Sequence, residues 1–171
     1  MGEQSAVTSV GSLDLDRYCG LWYEVGRLPM RWEQAEASDI TAEYTVEGDG
    51  TVRVDNRCID KTGKPSQALG QATPVNGRPG QLQVTFLPGP LRWIPFTKGD
   101  YWVLKLDDAY TVALVGSPDR KYLWLLSRSP RVDPETESAY LEEATRQGFD
   151  LTAWITPSQS GGRVTDDMLN G

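Results

Sequence analysis

The strongest constraint on this chain is an alternation of apolar and polar residues with period two, held to one parity through three runs. In 40–46 the even positions are Ile40, Ala42, Tyr44 and Val46, against Thr41, Glu43 and Thr45. In 52–58 they are Val52, Val54, Asn56 and Cys58, against Arg53, Asp55 and Arg57. In 82–86 they are Leu82, Val84 and Phe86, against Gln83 and Thr85. Side chains alternate across a strand, so each run is a strand with one buried and one wet face, as in an antiparallel sheet. Turn signals separate the runs. Gly48-Asp49-Gly50, Asn76-Gly77-Arg78-Pro79-Gly80 and Asp107-Asp108 read as tight hairpins. The connections between them are longer at 29–38, 60–66 and 88–98, with a short fourth at Gly116-Ser117-Pro118-Asp119. Strands are expected at about 20–28, 39–47, 51–59, 66–75, 81–87, 100–106, 110–116 and 121–128. Alternate connections of a meander share an end, so the expected fold is all-β. It is an eight-stranded antiparallel up-and-down barrel, closed by hairpins at one end and open among longer loops at the other.

The flanks behave differently. Leu13 to Tyr18 suits a helical turn capped by Ser12. Asp133, Pro134, Glu135 and Glu137 open a helix over 134–147, Tyr140, Leu141 and Ala144 form its apolar stripe, and Gly148 with Phe149 ends it. In strand 121–128 Leu123 and Leu125 are apolar as well as Tyr122, Trp124 and Leu126. A strand apolar on both faces needs cover outside, and the following helix supplies it. A short ninth strand is expected at 151–155. Residues 1–12 are expected to be a flexible N-terminus, 13–156 the domain, and 157–171 a flexible tail.

Composition removes several function classes. A net charge of −7 leaves no basic stripe for nucleic acid. The absence of histidine excludes histidine-based triads and histidine metal sites, and no cofactor or metal is expected. Two cysteines, Cys19 and Cys58, are too few for a disulfide framework and could be bonded or thiols. Met1 to Val7 has no basic region followed by an apolar one, so the chain as written is expected to be neither exported nor membrane-spanning.

Six tryptophans and seven tyrosines against three phenylalanines suit apolar walls with polar handles. Inward parity nominates Glu24, Tyr44, Val54, Asn56, Leu82, Phe86, Trp102, Tyr122 and Trp124 as lining. Strand 101–106 is apolar on both parities, which leaves Trp102 in competition with Tyr101. Small residues Ala68, Gly70 and Ala72 favour a cavity, while a packed interior is the alternative. Glu24 and Asn56 are the polar exceptions: one of them orients a ligand polar group or a water, or they make satisfied internal hydrogen bonds. Met30, Trp32, Leu91, Trp93, Ile94 and Phe96 place apolar side chains in the open-end loops. With Arg31, Arg92 and Lys98 they would gate the mouth, touch a bilayer surface, or pack as a lid.

Gly20-Leu21-Trp22-Tyr23-Glu24 resembles the Gly-x-Trp-Tyr signature that opens a lipocalin. Gly99-Asp100-Tyr101 resembles its second motif and Arg128 its third. The run from Pro118 to Pro130 resembles the bacterial branch, related to apolipoprotein D and temperature-induced lipocalins. The resemblance spans roughly 13–156. It implies a barrel binding small hydrophobic molecules, with fatty acids or lysophospholipids as favoured ligands, in storage or transport for membrane maintenance. Bacterial members are typically outer-membrane lipoproteins, so it also implies the outer membrane or periplasm, although the attachment cysteine is not seen here. Similar sequences can carry a cysteine in the first long loop to pair with position 58. That region reads Gln34-Ala35-Glu36 here, so Cys58 is expected to stay a thiol.

Strand one starts and strand eight ends at the closed end, so Trp22 and Arg128 should meet there as a structural plug, guanidinium on indole. Two rivals remain: an enzyme using Cys19 or Cys58 with an activator other than histidine, and an interaction barrel with a filled interior. Oligomeric state is open, a homodimer included.

Overall fold

The computed structural model describes residues 5–30, 36–86 and 99–171. A short helix α1 (Leu15–Tyr18) leads into strands β1 (Gly20–Arg27), β2 (Ser38–Val46), β3 (Val52–Ile59), β4 (Pro65–Pro74), β5 (Gln81–Phe86), β6 (Gly99–Leu106), β7 (Val112–Gly116) and β8 (Leu123–Ser127). Each strand pairs antiparallel with the next, and β1 also pairs with β8, giving a closed barrel in simple order. The expected strand count, order and two-ended character all hold. Helix α2 (Pro134–Arg146) follows, and a five-residue helix α3 (Asp166–Asn170) ends the chain.

Register carries the inward parity from strand to strand. Ala42 faces Asn56, which faces Ala68, and Val54 faces Gly70, which faces Phe86. One apolar cluster fills the inside of the barrel with Trp22, Tyr44, Val54, Leu82, Val103, Val115 and Leu126 among its members. A second lies outside, where Leu104, Leu114, Leu123 and Leu125 meet Tyr140, Ala144 and Phe149. The strand apolar on both faces is therefore covered by α2 as its sequence requires. The Tyr140 hydroxyl donates to the Val112 carbonyl at 3.1 Å and pins the helix to β7. Asp133 holds the N-cap position without a side-chain capping bond, and Pro134 begins the helix. Its end is a Schellman turn: the Phe149 N–H donates to the Ala144 carbonyl and the Gly148 N–H to the Thr145 carbonyl, with Gly148 at φ 91°.

The closed end is built on Arg128. Its guanidinium lies 3.8 Å from the Trp22 ring centroid. It donates to the carbonyls of Tyr110 (3.0 Å), Leu21 (3.0 Å), Arg17 (2.8 Å) and Tyr18 (3.0 Å). The Trp22 indole N–H donates to the Tyr18 carbonyl at 2.8 Å, and Trp22 is fully buried. Gly20 sits at φ 104°, a backbone that favours glycine, and a Cβ there would press at 3.2 Å on Arg128 Nη1. Asp100 is exposed at the start of β6 opposite Gln83, away from this plug. The β6–β7 turn stands there instead, with Arg17 donating to the Asp108 carbonyl and stacking 4.1 Å over Tyr110.

Both termini are more ordered than their polarity suggests. The cap of α1 is Asp14, not Ser12, because its carboxylate reaches the N–H groups of Asp16 and Arg17. Val7 is buried and the Val10 N–H donates to the Val103 carbonyl, so residues 5–12 lie on the barrel. The expected ninth strand shrinks to one antiparallel bridge, Arg27 with Ile155, because a turn interrupts 152–153. The tail expected to be flexible is laid along the outside. Pairing of β1 with β2 stops at Tyr23 and Thr41, and the tail fills the gap beyond. Asp39 N–H donates to the Ser158 carbonyl, and Gln159 Nε2 donates to the carbonyls of Glu24 (2.8 Å) and Ile40 (3.0 Å). Further on, Val164 is buried, and Arg57 ties Asp55, the Val164 carbonyl and Asp166 together.

These contacts satisfy backbone groups that the barrel leaves over, at about 1 kcal/mol each. Removal of residues 157–171 is expected to lower the melting midpoint by roughly 5–10 °C. Differential scanning fluorimetry of the shortened and full chains measures it, and an unchanged midpoint would contradict the docked tail.

Candidate functional site

Exposure changes along the inner face. Near the closed end Trp22, Val52, Ala72 and Leu82 are all at most 4% exposed, and Val54 further up β3 is still 3%. Toward the open end Asn56, Ala68, Phe86, Tyr122 and Trp124 point inward yet remain partly exposed. The lower barrel is packed and the upper barrel is reachable. Between Tyr18, Tyr44, Val52, Ala72, Leu82 and Tyr101 the remaining space is about 10 Å³, room for one water-sized sphere with apolar walls. At mid-height, Gly70 gives way to Phe86: a Cβ there would lie 2.9 Å from the ring. Near the top, Tyr122 and Trp124 stack with centroids 6.1 Å apart and planes at 15°, an aromatic wall on β8.

The floor of this cup is a line of phenols. Tyr18 and Tyr101 hydroxyls are 2.6 Å apart, and the Tyr101 hydroxyl donates to that of Tyr44 at 3.0 Å. The Tyr44 and Tyr18 rings stack at 5.8 Å, with Tyr101 edge-on to both. Burial pushes all three phenols well above their ordinary range, so they stay protonated donors. Beside them, burial and then Asp16 push the Cys19 thiol up. A nucleophilic cysteine needs the opposite shift. No disulfide links Cys19 to Cys58.

One wall carries an ion pair inside the barrel. Arg27 is fully buried and its Nη1 donates to Glu24 Oε2 at 3.1 Å, with Glu24 itself 5% exposed. The bulge between Glu24 and Gly26 explains how both residues face inward although they are three apart. Glu24 lies opposite inward Leu126, and Arg27 lies opposite inward Trp124. Holding two charges in an apolar interior is costly unless they compensate one another.

Of the lining residues expected from parity, Glu24, Tyr44, Val54, Asn56, Leu82, Phe86, Tyr122 and Trp124 share the inner face. Trp102 does not. It pairs with Gln81 and Gly116 and packs in the outer cluster, because Leu82 sets Tyr101 inward through their register. Parity alone missed Arg27, hidden by the bulge at Val25, and could not choose Tyr101 over Trp102 because β6 is apolar on both faces. Tyr18 was read as part of a helical turn, and nothing periodic marks it as the floor. Met30 is partly exposed after β1. Trp32, Leu91, Trp93, Ile94 and Phe96 lie outside the described residues. Among the described residues no group of three or more histidine, cysteine or carboxylate side chains could hold a metal, and no helix is long and apolar enough to cross a membrane.

A closed eight-stranded meander, plugged by arginine on tryptophan at one end and accessible from the other, with a helix on its outside, defines a calyx-type barrel. The profile of the lipocalin-like domain matches residues 13–159, and the chain belongs to the lipocalin family. It is 37% identical over 163 residues to temperature-induced lipocalin-1 of Arabidopsis thaliana, covering 94% of this chain and 87% of that one. It is 39% identical over 158 residues to the outer membrane lipoprotein Blc of Escherichia coli, covering 91% and 84%. Apolipoprotein D of Mus musculus is 28% identical over 157 residues, covering 87% and 78%. Among solved structures, insecticyanin of the tobacco hornworm superposes with a TM-score of 0.71 at 21% identity, covering 98% of this chain and 89% of that one. Apocrustacyanin C1 superposes with a TM-score of 0.72 at 16% identity, covering 92% and 86%. At such identity the two structures speak for the fold alone. Family membership supports binding of small hydrophobic ligands.

Because Glu24 compensates the buried Arg27, Glu24→Gln is expected to cost about 3 kcal/mol of stability, and adding Arg27→Met should recover part of it. Urea unfolding of both variants measures this. A stable single variant would show that the pair does not carry the charge balance.

Proposed function

We propose that this protein binds single-chain amphiphiles, fatty acids or lysophospholipids, in the upper barrel and stores or transports them for membrane lipid maintenance. The observation that carries this reading is the exposure gradient: inward residues are sealed near the floor and accessible above it, between apolar walls. An acyl chain placed there gains about 0.8 kcal/mol per methylene buried, so ten methylenes give about 8 kcal/mol. Ordering and association oppose that gain, which brings the expected affinity into the micromolar class. Burial energy of this kind is non-directional, so the site should tolerate variation in chain length.

Two further features support the membrane link. Relatives at 37–39% identity include proteins named as outer membrane lipoproteins. The sequence from Leu91 to Lys98 combines apolar side chains with the cations of Arg92 and Lys98, a composition that suits an anionic bilayer surface. A binding role also agrees with the chemistry: there is no histidine to act as a base, and the Cys19 thiol is shifted away from reactivity.

Ala68 is inward, partly exposed and opposite Asn56. Ala68→Phe should fill the upper cup without touching the floor. Its affinity for dodecanoate, read by tryptophan fluorescence, is expected to fall at least about tenfold while circular dichroism stays unchanged. Undiminished binding would place the ligand elsewhere.

A further inference from the structure

One polar side chain of the inner face has no protein partner. Asn56 points inward on β3 in the accessible part of the barrel and is itself partly exposed, so solvent already reaches it. Among the described residues no hydrogen bond involves its amide. The register gives the reason. Its cross-strand neighbours are Ala42 on β2 and Ala68 on β4, whose side chains neither donate nor accept. Gly70, opposite Val54 one inward step below, adds no side chain either. The inward ion pair of Glu24 and Arg27 lies on β1, two strands away, with its opposite charges 3.1 Å apart, so it lends this niche no net charge. Asn56 thus presents a neutral amide, both donor and acceptor, among small apolar residues.

Depth selects the ligand group that fits. From Asn56 to Ile59, the last residue of β3, the strand runs about 10 Å. Barrel strands tilt by about 40°, so the amide lies roughly 8 Å below the open end of that strand. A fatty acid with its carboxylate in solvent at that end puts only methylenes beside Asn56. A lysophospholipid puts a glycerol phosphate, of comparable length, between its solvated head and its ester carbonyl, which brings the carbonyl to the amide. Charge selects the same way. One neutral amide does not repay the desolvation of a carboxylate drawn down to it, whereas an ester oxygen sheds little water and needs a single donor. Resting on the calyx reading above, we propose that Asn56 is a specificity-determining residue whose amide N–H donates to the ester carbonyl of a single-chain lipid, so that the site favours lysophospholipids over chains without an ester.

The test compares 1-acyl lysophosphatidylcholine with its 1-O-alkyl analogue of equal chain length, which lacks only the carbonyl oxygen. Both are titrated into the full chain by tryptophan fluorescence. Wild type is expected to bind the ester about five- to tenfold more tightly, the size of one hydrogen bond. In Asn56→Leu, which removes the donor at similar volume, the ratio is expected to fall to about one. Asn56→Asp, closer still in shape and without the amide donor, serves as the second variant and should lose the preference as well. A wild-type preference below about threefold, or one that survives in either folded variant, overturns the proposal and shows the amide to be merely hydrated. Binding of dodecanoate without either lysolipid also overturns it and leaves the calyx reading standing. Binding of none of the three overturns both readings.

Discussion

The barrel depends on the seat of Arg128 on Trp22. A closed sheet must begin and end somewhere, and here the first and last strands meet where a guanidinium stacks on an indole and donates to four backbone carbonyls. Those carbonyls come from α1, β1 and the β6–β7 turn, three segments that would otherwise end unsatisfied at the bottom of an apolar interior. Charged donors make the stronger hydrogen bonds, and the planar fork of arginine can serve several acceptors while its face covers the ring. Lysine could supply the charge but not the geometry. With the bottom sealed, the accessible end among the described residues is the opposite one, where Asn56, Phe86 and Trp124 are partly exposed.

That seal sets the character of the interior. Above it lie three hydrogen-bonded phenols, then apolar walls of Val54, Phe86 and Trp124, with the Glu24–Arg27 pair set into one side. Polar groups in such a place are tolerated only when their hydrogen bonds are made. The floor phenols bond to one another and Arg27 Nη1 bonds to Glu24, beside apolar walls suited to an acyl chain. The tail contributes from outside, where Gln159 bridges the carbonyls of Glu24 and Ile40 across strands that have stopped pairing. The stretch of β1 that carries the ion pair is thus held on both sides, by β8 and by the tail.

Much of this was legible in the sequence. Period-two runs with a common parity gave strands with a defined inner face, and glycine and asparagine turns gave their order and the two ends. A strand apolar on both faces announced the helix that covers it. The failures have local physical causes. A bulge after Glu24 shifts the parity by one and hid Arg27, while β6, apolar on both faces, left Trp102 in competition with Tyr101, which belongs inside. Parity can be read only while the register is unbroken. Asp100, in the stretch that resembled the second motif, is exposed at the start of β6. The tail was misjudged because Gln159, Ser160 and Val164 are held one at a time by barrel backbone and an aspartate, without any period of their own.

The central claim, a barrel sealed below and occupied from above by a single-chain amphiphile, is tested most directly by native mass spectrometry after incubation with excess lysophospholipid and fatty acid. The account predicts a one-to-one complex whose bound molecule is recovered by solvent extraction and identified as single-chain. A spectrum showing only unliganded protein under conditions that keep it folded would contradict it.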